Sequence, residues 1–317
     1  MLPGSKNNSS PGELERLAGK KPALQLRAKV LQALRLFFIS HGYLEVETPF
    51  LIPAPAPEAH IDAVRAGDAF LHTSPELCMK RLLCAGYPKI FQICACFRNN
   101  ERGNLHLPQF TLLEWYRLGA NYFELMKECE DMVNFVSNHL GMGSKIKYQS
   151  LELDLKAPWQ RISVQEAFAR HASLSMEEAL KRESFDRVMV EEIEPKLGSP
   201  KPTFLYDYPA SHAALARLNK KEPGFAERFE LYAAGLELAN AFSELTDAEE
   251  QKKRFEKERE KRRREGKDVY PMPERFLKAL SHMPEAAGIA FGVDRLVMLF
   301  ADTPCIDKVV AFSPEEL

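Results

Sequence analysis

The stretch FRNNERGNLHLPQFTLLEWYR, residues 97–117, decides the fold. Its second half, FTLLEWYRL at 110–118, is rich in β-branched and aromatic residues, and so is IFQICACFR at 90–98 just before it. Two such runs separated by the polar loop 101–109 predict strands that return antiparallel. Side chains alternate along a strand, so Phe110, Leu112, Glu114 and Tyr116 share one face. Glu and Tyr beside Phe on one face is unusual for a plain core strand. A structural role, with Arg98 paired to a carboxylate and Phe110 simply packed, also accounts for this segment taken alone.

Working outward, GIAFGVDRLVML at 288–299 reads as a strand, a glycine turn and an apolar helix whose start presents Asp294 and Arg295. In GLELANAFSEL at 235–245, Glu237 and Glu244 lie seven residues apart and are expected to converge if the strand turns beneath a ligand. Paired carboxylates facing a phosphate site point to Mg²⁺, which favours oxygen ligands and substrate phosphates. Upstream, Leu26, Val30, Leu34, Phe37 and Phe38 recur at helical spacing until His41 and Gly42, and YLEVETPFL then alternates as a strand. Short strands are expected at 63–64 and 69–71. A helix follows in HTSPELCMKRLLCAG, where Ser74 can cap, Pro75 suits the first turn and Gly86 ends it.

A further helix is expected at 122–140, a strand at TFLYDYP, and two strands meeting near Ala234 and Gly235. Residues 1–24 read as a mobile lead-in with a short helix around Leu14, 25–317 as one domain, and about 150–200 as a peripheral helical insertion without nameable chemistry. Strands that keep returning antiparallel, with helices between them, predict an α+β domain built on a mainly antiparallel sheet.

The 317 residues can bury a sizeable core, and the composition, 45% hydrophobic and 28% charged, is that of a globular protein. A formal net charge of -2 gives no whole-molecule attraction to nucleic acid or an anionic membrane. With no membrane-length apolar run and no secretory leader, a cytoplasmic protein is expected. Six cysteines without a C-x-x-C pair read as free thiols. The run 249–267, with Arg262, Arg263 and Arg264, reads as a solvated helix because its charges interleave.

Together these segments resemble the class II aminoacyl-tRNA synthetases, specifically the lysyl branch, over about 26–312. HGYLEVETPFL resembles motif 1, 97–117 motif 2 and 288–299 motif 3, while SPELCMKRL and GLELANAFSELTD resemble the amino-acid pocket segments. The resemblance implies an ATP site in which Arg98 holds the α-phosphate, Arg295 the γ-phosphate, His106 the pyrophosphate region, and Phe110 stacks on adenine. Asn99, Asn100, Leu107, Leu238 and Gly292 complete it. It implies an amino-acid pocket of Ser74, Pro75, Glu76, Glu114, Tyr116, Asn240, Glu244 and Ala290, with Glu237 and Glu244 on Mg²⁺, and a homodimer through motif 1.

With the motif 1 helix beginning within the first 30 residues given, an arrangement without an OB-fold anticodon module is expected. That arrangement resembles the elongation factor P (R)-β-lysine ligase family, whose acceptor is a protein lysine rather than tRNA. Ser74 and Ala290 stand where lysyl-tRNA synthetases tend to carry Ala and Gly, which favours that branch. A truncated lysyl-tRNA synthetase and a catalytically silent regulator are the rival readings. Asn100, Leu107 and Gln109 depart from the usual pattern, and Glu101 is expected to replace the lost motif 2 carboxylate.

Overall fold

The computed structural model describes residues 12–317. The chain opens with α1 (Glu13–Ser40), which buries Val30, Leu34, Phe37 and Phe38 on one side. Residues 13–24, expected to belong to a mobile lead-in, are therefore helical, and residues 1–11 of that segment lie outside the described residues. Gly19 and Pro22 weaken the helix locally. Tertiary contact overrides them, since buried Lys20 bonds Glu316 at 2.5 Å and the Ala311 carbonyl at 3.3 Å.

After α1 the motif 1 segment forms only β1 (Leu44–Glu45) and β2 (Leu51–Ile52), because proline and loop residues break the expected longer strand. Next come β3 (Arg65–Ala66), β4 (Ala69–Leu71) and α2 (Glu76–Cys84). The N-cap of α2 is Pro75 rather than the expected Ser74, whose hydroxyl one residue earlier still accepts the Glu76 N–H at 3.0 Å. The predicted pair appears as β5 (Lys89–Phe97) and β6 (Gln109–Leu118), antiparallel with nine residue pairs in register.

α3 (Tyr122–His139), capped by Asn121, then crosses to β7 (Lys145–Tyr148), β8 (Leu151–Asp154) and β9 (Gln160–Ser163). The segment 150–200 is thus not purely helical: β9 pairs parallel with β10 (Thr203–Pro209) and closes one edge of the main sheet. Its helices α4 (Val164–His171), α5 (Met176–Lys181) and α6 (Phe185–Val188) enclose a small core of their own around Phe168 and Phe185. The last third supplies β11 (Phe225–Ala233), β12 (Leu236–Ser243), α7 (Ala248–Arg264), α8 (Glu274–Leu280), β13 (Ala286–Gly292) and α9 (Val293–Phe300).

Eight strands form the main sheet in the order β1-β5-β6-β13-β12-β11-β10-β9. Its six inner strands are antiparallel and its two edge pairings parallel, so the expected α+β, mainly antiparallel class is the observed one. One face packs under α1, α3 and α9, where Phe38 lies 4.9 Å from both Phe91 and Trp115. Phe91, Leu113, Trp115, Ala239, Ala241, Ile289 and Phe291 all point there. The opposite face therefore receives the alternate residues of the same strands.

No helix among the described residues is long and apolar enough to cross a membrane. Arg262 departs from the solvated reading of α7. It is buried, bonds Asp62 at 2.8 Å, and donates to the Glu58 and Ile61 carbonyls, pinning loop 58–62. Arg263 and Arg264 are exposed beside Glu260.

Candidate active site

The open face of the sheet carries its chemistry in rows. Strand register aligns Gln92, Glu114, Ala290, Asn240 and Glu230 side by side across β5, β6, β13, β12 and β11. A second row aligns Ile90, Tyr116, Gly288, Phe242 and Arg228. A register shift between β11 and β12 pairs Leu231 with Ala239 but Tyr232 with Glu237, leaving Leu238 as an extra residue. That bulge turns Glu237 onto the same face as Asn240. Above these rows lies a cavity of about 480 Å³.

At one end the cavity holds cations. Arg98 leaves β5 with its guanidinium 4.9 Å over the Phe110 ring and 3.8 Å from Glu101. Glu101 thus stands beside the arginine. The Arg98 Nε is buried with no partner among the described residues, a donor that a phosphate oxygen would satisfy. Arg295, at the start of α9, donates to the Glu237 carbonyl at 2.7 Å and its carboxylate at 3.1 Å. Its other nitrogen lies 2.8 Å from His106 Nε2. Burial and the Arg295 charge push the His106 pKa down, so a neutral ring accepting from Arg295 is favoured. Asn100, Leu107, Leu238 and Gly292 also line this end, whereas Asn99 does not line the cavity. Buried Asp294 fixes the geometry, holding Arg27 at 2.5 Å and the Thr111 N–H at 2.6 Å.

At the other end the cavity holds acids. Glu114 is buried and accepts from Ser74 Oγ at 2.6 Å and Tyr116 Oη at 2.8 Å. Burial, then the charge of Glu76, raises its pKa to about 8. Burial and Glu76 likewise raise Glu58 to about 7. Lys80 bonds Glu76 and lies 2.5 Å from Glu244 Oε2, and those two carboxylates hold it protonated against the cost of burial. Burial pulls Glu244 up to about 7 while Lys80 opposes it. Its Oε1 has no hydrogen-bond partner among the described residues. A Cβ on Gly288 would come within 2.4 Å of that oxygen and 2.2 Å of the Tyr116 ring, so only glycine leaves room here. Pro75 and Glu244 stand behind the lining rather than on it.

Glu237 and Glu244 do not converge. Apart from the bulge at Leu238 the chain stays extended through β12, and seven residues at a strand's rise separate them by roughly 20 Å, too far to share one ion. Glu237 instead meets Glu230 and Glu194: burial, then those two charges, raises Glu194 to about 7. Of these three carboxylates only Glu237 lines the cavity, and Glu230 is already held by Tyr208, Tyr232 and Arg228, so at this end Glu237 alone keeps the metal expectation.

Sequence reasoning missed Glu58, Lys80, Glu194, Arg228, Glu230 and Gly288. Arg228, Glu230 and Tyr232 alternate on β11 as Glu114 and Tyr116 do on β6, so the same period-two signal was available. Glu58 and Glu194 come from a loop and a 3₁₀ turn, where spacing carries no facing information.

A helix-backed antiparallel sheet, with an arginine from a strand end and another from a following helix over one cavity, defines the catalytic core of a class II synthetase-type ligase. The family model described as tRNA synthetases class II (D, K and N) matches residues 14–316, and the chain belongs to that family, in its elongation factor P (R)-β-lysine ligase branch. The relative named elongation factor P--(R)-beta-lysine ligase from Pectobacterium carotovorum subsp. carotovorum (strain PC1) is 39% identical over 91% of this chain and 94% of its own length. Ligases of the same name from Salmonella arizonae and Erwinia tasmaniensis are each 38% identical, over 92% and 90% of this chain and 95% and 93% of theirs. Enzymes of this class use ATP.

Proposed function

We propose that this enzyme activates (R)-β-lysine with ATP and transfers it to the ε-amine of a lysine on elongation factor P. The observation that carries the substrate class is the acidic closed end, where Glu58, Glu76 and Glu114 line the cavity and suit a diammonium substrate better than a neutral one. Both residues that favoured β-lysine meet at one carboxylate: Ser74 bonds Glu114, and Ala290 pairs with it in register. The Ala290 methyl crowds an α-amine position and favours an amine one carbon farther along.

In the first step a substrate carboxylate oxygen attacks the α-phosphorus and the bond to pyrophosphate breaks. Arg98 neutralises charge on the α-phosphate and Arg295 on the leaving pyrophosphate, with His106 as a neutral partner. Phe110 offers a face for adenine beside Arg98. When bound, Mg²⁺ would neutralise phosphate charge, and Glu237, which lines the cavity beside Arg295, is the residue that would hold it. In the second step the neutral acceptor amine attacks the acyl carbonyl, AMP leaves, and the amine loses a proton.

The exposed apolar side chains Leu36, Ile39, Leu44, Phe50 and Leu51 on α1 and the motif 1 segment support a homodimer through that surface. The expected compartment is the cytoplasm. The assay that tests the function supplies ATP, labelled (R)-β-lysine, and either elongation factor P or total tRNA. Label on the protein is expected; label on RNA supports a truncated synthetase, and no adenylate supports a silent regulator.

A further inference from the structure

We propose that His72, Cys94 and Cys96 form a binding site for a thiophilic d¹⁰ metal ion, Zn²⁺ or Cu⁺, in the wall of the sheet beside the cavity. Cys94 and Cys96 alternate on β5 and therefore point the same way, opposite Leu112 and Phe110 of β6. Their sulfurs are 3.9 Å apart, and Cys96 Sγ is 4.0 Å from His72 Nε2. All three ligand atoms lie within 4.8 Å of one another, the only such group of His, Cys, Asp and Glu among the described residues.

An ion about 2.3 Å from each sulfur and about 2.0–2.1 Å from nitrogen, in trigonal or tetrahedral geometry, sets sulfurs about 3.8–4.0 Å apart and sulfur and nitrogen about 3.6–3.8 Å apart. The thiols already have that separation, the imidazole is within a few tenths of an ångström of it relative to Cys96, and it stays within 4.8 Å of both sulfurs. The third ligand, His72, arrives from just past the end of β4.

The surroundings are also under-satisfied. His72 Nδ1 and both amide atoms of Gln92 are buried without a hydrogen-bond partner among the described residues. His72 Nε2 lies 2.7 Å from the Ala95 carbonyl, so it carries the ring proton. Binding through Nε2 passes that proton to the unpartnered Nδ1 and releases the two thiol protons. Two thiolates and a neutral imidazole then exactly balance Zn²⁺ in charge, or leave one negative charge with Cu⁺. Soft sulfur donors in a dry site select such ions over Mg²⁺, which requires oxygen ligands, so this site is separate from the carboxylates near Arg295.

The test uses the full chain carrying C78S, C84S and C305S, which removes the three half-buried thiols elsewhere. Under anaerobic, reducing conditions Zn²⁺ is titrated against a competing chromogenic chelator, and Cu⁺ binding is followed by thiolate-to-metal absorbance. One ion per chain is expected, with affinity falling at least about tenfold in Cys96→Ser and in His72→Gln. No competition with the chelator, or binding unchanged by both substitutions, overturns the proposal. Since both substitutions fall in the core, X-ray absorption at the zinc edge of the loaded, otherwise unsubstituted protein provides a reading that needs no variant at the site. Two sulfur scatterers at about 2.3 Å are expected, and a shell of nitrogen and oxygen alone overturns the assignment.

Discussion

The two ends of the cavity stand on the same four strands yet handle charge in opposite ways. At the phosphate end Arg98 keeps a free donor and contacts Glu101 only at 3.8 Å, so its charge is available to an incoming anion. At the amino-acid end every carboxylate is already hydrogen-bonded, ion-paired or pushed toward its neutral form by burial. The difference follows from solvent. Arg98 and Arg295 sit at the rim, where water stabilises the charge before substrate arrives. Glu114 and Glu244 lie inside the sheet, where an isolated charge is too costly and the site waits for a cation to complete it.

The sharpest way to break this comparison is to delete the open charge. Arg98→Ala is expected to lower ATP–pyrophosphate exchange by at least about 10³-fold with circular dichroism unchanged, because the cation acts on the developing phosphate charge. Retained exchange would move the phosphate site elsewhere. Gly288→Ala addresses the other end: the added methyl meets Tyr116 and Glu244, so amino-acid-dependent exchange should fall about 10²-fold while ATP binding, measured by calorimetry, persists. Equal loss of both would show that the two ends are not separable.

Arg262→Met tests whether the acidic end depends on its supporting loop. The substitution removes the ion pair with the partly exposed Asp62 and the bonds to the Glu58 and Ile61 carbonyls, so thermal melting should show a clear drop. The amino-acid KM should rise more than the ATP KM, because loop 58–62 carries Glu58.

The smallest expected effect is a pH dependence. Glu58 and Glu114 have raised values of about 7 and about 8, so below those values they are protonated in the free enzyme. A diammonium substrate binds their ionised forms and must expel those protons. Its affinity should therefore improve from pH 6 to 8, by at most about tenfold per pH unit per group, while ATP affinity changes less. A KM for the amino acid that is flat over that range would contradict the picture of a neutralised acidic end.

How much of this was legible in the sequence differs between the same two ends. Arg98, Phe110, Glu114, Tyr116 and Arg295 sit on strands or at a helix start, where period and punctuation set direction. The class II resemblance then supplied their expected roles, and the family match supports that resemblance. The pairing of Glu237 was not legible, because it depends on a one-residue bulge at Leu238 that reverses facing and leaves no mark in spacing. Nor was the internal compensation by Lys80, which brings α2 and β12 together across more than 160 residues. The helix through Gly19 and Pro22 was hidden because its support, Glu316 and Ala311, lies at the other end of the chain.

The most direct test of the central claim is ATP–pyrophosphate exchange driven by (R)-β-lysine and by lysine, each as the sole amino acid. Exchange is expected with both diammonium substrates, with kcat/KM at least about tenfold higher for (R)-β-lysine, a preference of about 1.4 kcal/mol set beside Glu114 and Ala290. Exchange driven better by lysine would contradict the substrate assignment, and exchange with neither would contradict the adenylate-forming reading itself.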